Sequence, residues 1–223
     1  VDPARPDWED RDRFVLSKGH GGVGHAVVLA NKGYFPMEDL KTFNETGSKL
    51  GMHLDGAKAK GVDASTGSMG HGLCQALGMA LGARVLKKDT RVFCIIGDGE
   101  SNEGSIWEAA MAAAHYKTPN LVAFLDRNHY MIDGYTEDVM SLEPLADKWR
   151  AFGWETRVVD GHDLAALAEA IEFAIAWDKG PVMLLCDTVK GKGVDFMEAK
   201  AAWHYGGLSA EMVAKAKQSI GEG

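Results

Sequence analysis

Cysteine is scarce in this sequence, and it has neither a long apolar run nor a visible secretion signal. The 223 residues contain three cysteines, Cys74, Cys94 and Cys186, without a Cys-x-x-Cys pair. That spacing argues against a disulfide framework and provides no thiolate site for a metal. No stretch approaches the roughly 18 apolar residues that a membrane span needs, and no signal peptide is visible. We therefore expect a cytoplasmic protein without a membrane segment, whose thiols are reduced and buried.

Basic residues are outnumbered by acidic ones, 24 against 32, which gives a net charge of −8. A protein of this charge is a poor general binder of nucleic acid, although a local site can still bind an anion. Hydrophobic residues make up 46% of the chain and charged residues 25%. This length and composition predict a single α/β domain, residues 1–223, with a sheet buried on both faces.

The stretch at residues 92–133 carries the clearest structural signal. An apolar, β-branched run at 92–96 ends at the turn Gly97-Asp98-Gly99, and a second apolar run at 121–125 ends before Asn128. Between these runs, apolar residues recur at the helical spacing of three and four. Strand, helix and strand form a βαβ unit, whose two strands are parallel. Asp98 and Asn128 should therefore lie at the same carboxyl edge of the sheet, where open α/β sheets bind ligands.

The residue types at this edge indicate a divalent cation and a phosphate. Carboxylate and amide oxygens are hard ligands that suit Mg²⁺ or Ca²⁺. Gly97 and Gly99 leave the backbone open to close approach by a phosphate. The sequence thus predicts a cation that holds a diphosphate. A tight turn after a strand, followed by an ordinary loop asparagine, is the alternative interpretation.

The remaining patterns predict helices and strands on both sides of this unit. A Gly-rich segment of more than twenty residues, up to residue 73, lacks periodicity, and a loop of that length is usually functional. The predicted strands are 14–16, 155–159 and 181–187; the predicted helices run from the 17–20 segment to about 32, then 36–43, 73–86, 141–152, 164–177 and 211–220.

Five separate sequence segments resemble transketolase, in the order in which that family carries them. They are RDRFVLSKGH (11–20), ASTGSMGHGL (64–73), GDGESNEG (97–104), NHYMIDG (128–134) and VKGKGVDFME (189–198). The match covers nearly the whole chain but only the first, diphosphate-binding domain of transketolase. It implies an α/β thiamine diphosphate-binding fold, a parallel sheet flanked by helices.

The resemblance also implies a set of cofactor and metal contacts. It assigns Mg²⁺ (or Ca²⁺) to the Asp98 and Asn128 side chains and to the Tyr130 carbonyl. The Glu103 carboxylate would lie at an interface near the cofactor, but an acid in the first turn of a helix is also favoured by the helix dipole. Lys190 would contact the diphosphate, and a solvated loop lysine is the alternative. The thiamine diphosphate contacts are Gly67, Ser68, Met69, Gly97, Asp98, Gly99, Glu103, Asn128, Lys190 and His204.

Three histidines are implied as catalytic residues: His20, His53 and His204. They would polarise substrate oxygens or move protons, for which imidazole is suited near neutral pH. Without the resemblance, His20 alone would be interpreted as a capping or exposed residue. The chain departs from the family at Met52-His53-Leu54, where Gly-His-Pro is usual, and at His71, where Gln is common.

The implied reaction is transfer of a two-carbon ketol unit from a ketose phosphate to an aldose phosphate, as in pentose phosphate metabolism. We expect a segment before residue 1 to be missing, and the pyrimidine and C-terminal domains to be supplied by another chain. The expected enzyme is a split transketolase, an α2β2 heterotetramer. The alternatives are a deoxyxylulose-phosphate synthase, a phosphoketolase, a non-catalytic thiamine diphosphate-binding module and, least favoured, a plain Mg²⁺-dependent phosphate enzyme.

Overall fold

A five-stranded, wholly parallel sheet forms the centre of the computed structural model, which describes residues 1–221. Counting a separate hairpin, residues 1–221 contain seven strands: β1 (Arg13–Leu16), β2 (Val92–Gly97), β3 (Leu121–Arg127), β4 (Tyr130–Met131), β5 (Gly134–Tyr135), β6 (Glu155–Asp160) and β7 (Val182–Asp187). The sheet order is β1-β2-β3-β7-β6, and β4 and β5 form a separate antiparallel hairpin. The prediction of a parallel β2–α–β3 unit is confirmed.

Seven helices accompany these strands in residues 1–221. They are α1 (Gly22–Lys32), α2 (His71–Val85), α3 (Gly104–His115), α4 (Thr136–Val139), α5 (Leu145–Ala151), α6 (Leu164–Ala176) and α7 (Ala210–Ser219). The predicted helix at 141–152 begins only at Leu145, because a proline disfavours helical backbone at the residue before it and Pro144 itself stands in extended backbone. The predicted helix at 36–43 is a 3-10 helix, Met37–Thr42, that buries none of its residues.

The sheet is covered on both faces, as predicted. Along β3, Ala123 and Leu125 face the core formed with α2, α3 and α5, whereas Val122 and Phe124 face α6. This alternation is the period of two expected of a strand. A third, smaller apolar cluster joins α1 to the segment from Tyr34 to Val62.

The expectation of three buried thiols is wrong for Cys74. Cys94 and Cys186 are buried in β2 and β7, but Cys74 is exposed. The buried face of α2 is formed by residues such as Leu73, Ala76 and Ala80, and a side chain one position after Leu73 is rotated by about 100° from that face. No helix in residues 1–221 is long and apolar enough to cross a membrane.

The strand register sets the position of the candidate site. Gly97 pairs with Asp126 across β2 and β3, and Arg127 pairs with Asp187 across β3 and β7. These strands therefore end at nearly the same level, and the loops that follow them meet at one edge of the sheet.

Candidate active site

The cleft at this carboxyl edge has a volume of about 700 Å³. Its polar lining comes from the residues that end or follow three strands, including Lys18, Asp126, Asn128, Thr188 and Lys190. Phe14, Val28 and Phe124 contribute an apolar wall. The cleft therefore offers positive charge and amide groups above the strand ends.

Asp98 is almost fully buried beside the loop that contains Asn128. Its Oδ1 accepts the Gly99 N–H at 2.7 Å, and its Oδ2 accepts the His129 N–H at 2.6 Å. The Arg127 guanidinium lies 3.3 Å from the same Oδ2. Burial nevertheless raises the pKa of Asp98 above its usual value. A cation at this carboxylate would offset the loss of water around its charged form.

The loop after β3, which contains Asn128 and Tyr130, contacts Asp98 through the His129 N–H. Asn128 Oδ1 accepts the Tyr130 N–H at 3.1 Å, and His129 has a positive φ of 66°. The predicted ligand set, one carboxylate with an amide and a main-chain oxygen, has the hard oxygen chemistry of Mg²⁺ or Ca²⁺. Within residues 1–221, no three His, Cys, Asp or Glu side chains converge on a metal position.

Arg127 is a site residue that the sequence patterns did not single out. Its side chain is 3% exposed, and besides Asp98 it binds the Thr136 hydroxyl at 2.6 Å, Glu137 at 2.8 Å and Glu143 at 3.0 Å. It therefore ties the Asp98 carboxylate to the segment that follows β5. Strand alternation predicts that Arg127 points away from the Asp126 side of β3, but no spacing in the sequence identifies its three acidic partners.

Lys18 is a second site residue that was not predicted. Its Nζ binds Asp126, which also accepts a hydrogen bond from the Thr188 hydroxyl. Burial alone would raise the pKa of Asp126, but Lys18 and these hydrogen bonds together lower it. The signal available in the sequence was position: Lys18 follows a strand end, as Lys190 does.

Two predicted catalytic histidines and Lys190 lie together. The His20 and His204 rings have centroids 5.4 Å apart, and Lys190 Nζ is 3.3 Å from His204 Nδ1. Burial, which removes water from the ring, lowers the pKa of His20 to about 4, with smaller contributions from the charges of Lys18 and His204. Loss of water and the charge of Lys190 lower the pKa of His204 as well. His20 is therefore neutral at pH 7 and His204 tends toward the same state.

His53 and the predicted cofactor turn meet over the end of β1. A Cβ added to Gly67 would lie 3.4 Å from the His53 ring, which places the two in contact. Thr66 Oγ1 donates to the Leu16 carbonyl at 2.6 Å and holds the turn against β1. Ser68 and Met69 are exposed in the same turn.

Glu103 and His71 flank this turn. A Cβ on Gly70 would lie 2.7 Å from the Glu103 Cβ, so Glu103 packs directly against the turn. His71 begins α2 and is exposed. The predicted residues thus gather around one edge of the sheet, where the lysines and the buried Asp98 carboxylate have the chemistry to bind an anion and a cation.

Comparison with known proteins identifies the family of this α/β cofactor-binding domain. The family model described as "Transketolase, thiamine diphosphate binding domain" matches residues 1–223. The chain belongs to the transketolase family, as the resemblance implied.

Several similar proteins are named for the enzyme to which they belong. The 6-deoxy-6-sulfo-D-fructose transketolase subunit SqwG of Clostridium sp. (strain MSTE9) is 48% identical over 212 residues, covering 95% of this chain and 77% of the relative. An apulose-4-phosphate transketolase subunit from Phocaeicola vulgatus is 42% identical over 220 residues, covering 99% of this chain and 78% of the relative. Both relatives are named as subunits of their enzymes.

Solved transketolases share the fold. The Pichia stipitis transketolase in complex with sedoheptulose-7-phosphate superposes with a TM-score of 0.94 at 31% identity. The match covers 99% of this chain and 34% of that protein. The match thus spans about a third of the length of this transketolase.

Proposed function

We propose that this chain is the diphosphate-binding subunit of a split transketolase, which moves a two-carbon ketol unit from a ketose phosphate to an aldose phosphate. The observation that carries the proposal is the edge of the sheet where buried Asp98 meets the Asn128–Tyr130 loop beside Lys18 and Lys190. Relatives named as transketolase subunits, matched over 77% and 78% of their length, support the split arrangement.

Each group in this edge has a proposed role in binding. The Asp98 carboxylate, the Asn128 amide and the Tyr130 carbonyl hold Mg²⁺ (or Ca²⁺), and the main chain at Gly97 and Gly99 approaches the diphosphate. When bound, thiamine diphosphate supplies a ring that stabilises a carbanion, which ketol transfer requires. The remaining proposed cofactor contacts are Gly67, Ser68, Met69, Glu103, Lys190 and His204.

The histidines are proposed to act on substrate oxygens, His20 and His204 in their neutral forms. Lys190 Nζ can only donate, so the contact with His204 Nδ1 makes that nitrogen an acceptor and leaves the proton on Nε2. His204 Nε2 is then able to donate to a substrate oxygen. Neutral His20 carries one donor and one acceptor, and His53, whose ring contacts Gly67, is the third histidine of the proposed group.

The proposal includes a partner chain that carries the pyrimidine domain and an α2β2 assembly. It also places the enzyme in the cytoplasm and in pentose phosphate metabolism. SqwG and the apulose-4-phosphate transketolase from Phocaeicola vulgatus act on different sugars by name. The sugar used by this enzyme is therefore best sought among ketose phosphates and related ketoses with other anionic head groups.

Reconstitution tests the proposal. The chain, a candidate partner chain and their mixture are assayed with thiamine diphosphate, Mg²⁺ and ketose donors, and ketol transfer is expected from the mixture alone. Pyruvate and inorganic phosphate are tested as co-substrates, because their use would identify a deoxyxylulose-phosphate synthase or a phosphoketolase. Equal activity of the chain without a partner would overturn the split arrangement, and cofactor binding without any activity would favour a non-catalytic module.

A further inference from the structure

The Glu100 side chain is buried at the junction of three segments that carry proposed site residues. It lies in the 3-10 helix Gly99–Asn102 and is 2% exposed. Its Oε2 accepts the Gly97 N–H at 3.0 Å, and its Oε1 accepts the Gly70 N–H at 2.8 Å and a hydrogen bond from the Ser17 hydroxyl. One carboxylate thus joins the end of β1, the turn before α2 and the turn after β2.

These three segments approach each other so closely that side chains are excluded from the junction. Gly70 has a φ of 84°, and a Cβ there would lie 2.7 Å from the Glu103 Cβ. A Cβ on Gly72 would lie 2.5 Å from the Ser17 Cα. Because Gly70 is buried, its N–H needs an acceptor, and Glu100 is that acceptor.

Glu100 makes these contacts without facing the cleft. Both oxygens are used by donors of the chain itself, and no Lys, Arg or His within residues 1–221 forms an ion pair with it. Burying a carboxylate without a cationic partner costs free energy. The three donors that converge on Glu100 offset this cost, and they need a side chain that can accept three hydrogen bonds. A neutral side chain of the same shape has too few acceptors for that position.

We propose that Glu100 is a positioning residue that fixes two turns relative to each other. One is Gly67–Gly70, on the side of the thiamine ring, and the other is Gly97–Gly99, on the side of the diphosphate. Through Ser17 it also sets the start of the Lys18–His20 segment. This inference rests on the proposed function, since it takes both turns to contact the same cofactor. Glu100 acts through hydrogen bonds to the backbone and does not itself touch cofactor or substrate.

Glu100→Gln tests the inference with almost no change in shape. The amide retains one acceptor oxygen, and its NH₂ group must face the N–H of either Gly97 or Gly70, so one bond becomes a donor–donor conflict. We expect thiamine diphosphate to bind roughly 10- to 100-fold more weakly, as for other residues that orient ligand-binding groups. Glu169→Gln, the same change at an exposed position of α6, should leave the affinity unchanged.

The measurement is the Kd of thiamine diphosphate with Mg²⁺, in the full chain combined with its partner chain, well below the melting temperature. A purely structural Glu100 would lower Tm and leave this Kd unchanged, and that result would overturn the inference. If Glu100→Gln does not fold, Ser17→Ala removes a single donor and should weaken binding roughly three- to tenfold. An unchanged Kd for Ser17→Ala would then overturn the inference. Absence of binding by the unaltered protein would instead refute the proposed function.

Discussion

Replacing Asp98 by Asn should separate cation binding from folding. Three donors surround the Asp98 carboxylate, yet burial still raises its pKa, because the charged form is less well solvated there than in water. Asn removes that charge and turns one hydrogen bond into a conflict between donors, while Arg127 keeps Glu137 and Glu143. We therefore expect the cofactor-free protein to lose no more than about 2 kcal/mol of unfolding free energy.

The cation should respond much more strongly to the same substitution. Removing one partner of a buried ionic contact costs about 3 kcal/mol or more, which corresponds to a loss of affinity of roughly a hundredfold. Calorimetric titration with Mg²⁺ and thiamine diphosphate measures this loss, and urea unfolding of the cofactor-free protein measures stability. Asp178→Asn, at an exposed position, is the matched control. Unchanged cofactor affinity in Asp98→Asn would refute the assignment of Asp98 as a ligand.

Three further predictions follow from the geometry. Gly72→Ala should reduce the free energy of unfolding by about 1–3 kcal/mol in urea titrations, because the new methyl would overlap Ser17. Gly78→Ala is the control in the same helix: it has open space around it and should raise the free energy of unfolding by up to about 1 kcal/mol. Lys190→Gln should weaken thiamine diphosphate binding roughly tenfold, and an unchanged Kd would remove Lys190 from the site. The pKa of His20 falls from 6.5 to about 4 on folding, so the unfolded chain binds more protons between these two pH values. His20 should therefore reduce the free energy of unfolding as pH falls through this window. A His20→Gln protein whose stability varies with pH as steeply as that of the unaltered protein would contradict this.

The sequence was sufficient to predict the central βαβ unit and the edge of the sheet at which the candidate residues meet. Two apolar runs separated by a helix of fitting length allow one parallel arrangement, and strand register then aligns Asp98 with the loop of Asn128. Helix ends were harder to predict where backbone chemistry decides them. The helix predicted from residue 141, for example, begins only at Leu145, directly after Pro144.

The contacts that hold the site together depend on long-range packing, so local patterns did not reveal them. Glu100 looks like a solvent-exposed acid of a Gly-rich turn, yet Ser17 and Gly70 come from distant segments to cover it. Arg127 resembles an exposed loop residue and becomes a buried clamp only when the segment after β5 folds over it. Cys74 is exposed because its position on α2 turns it away from the sheet, although Leu73 beside it is buried.

Crystals grown with thiamine diphosphate and Mn²⁺ in place of Mg²⁺ test the central claim most directly, since manganese is located by its anomalous scattering. We expect a single strong peak about 2.0–2.6 Å from the Asp98 carboxylate, the Asn128 amide oxygen and the Tyr130 carbonyl oxygen, with the diphosphate on its open side. A cofactor bound elsewhere, or a manganese ion that Asp98 and Asn128 do not share, would contradict it.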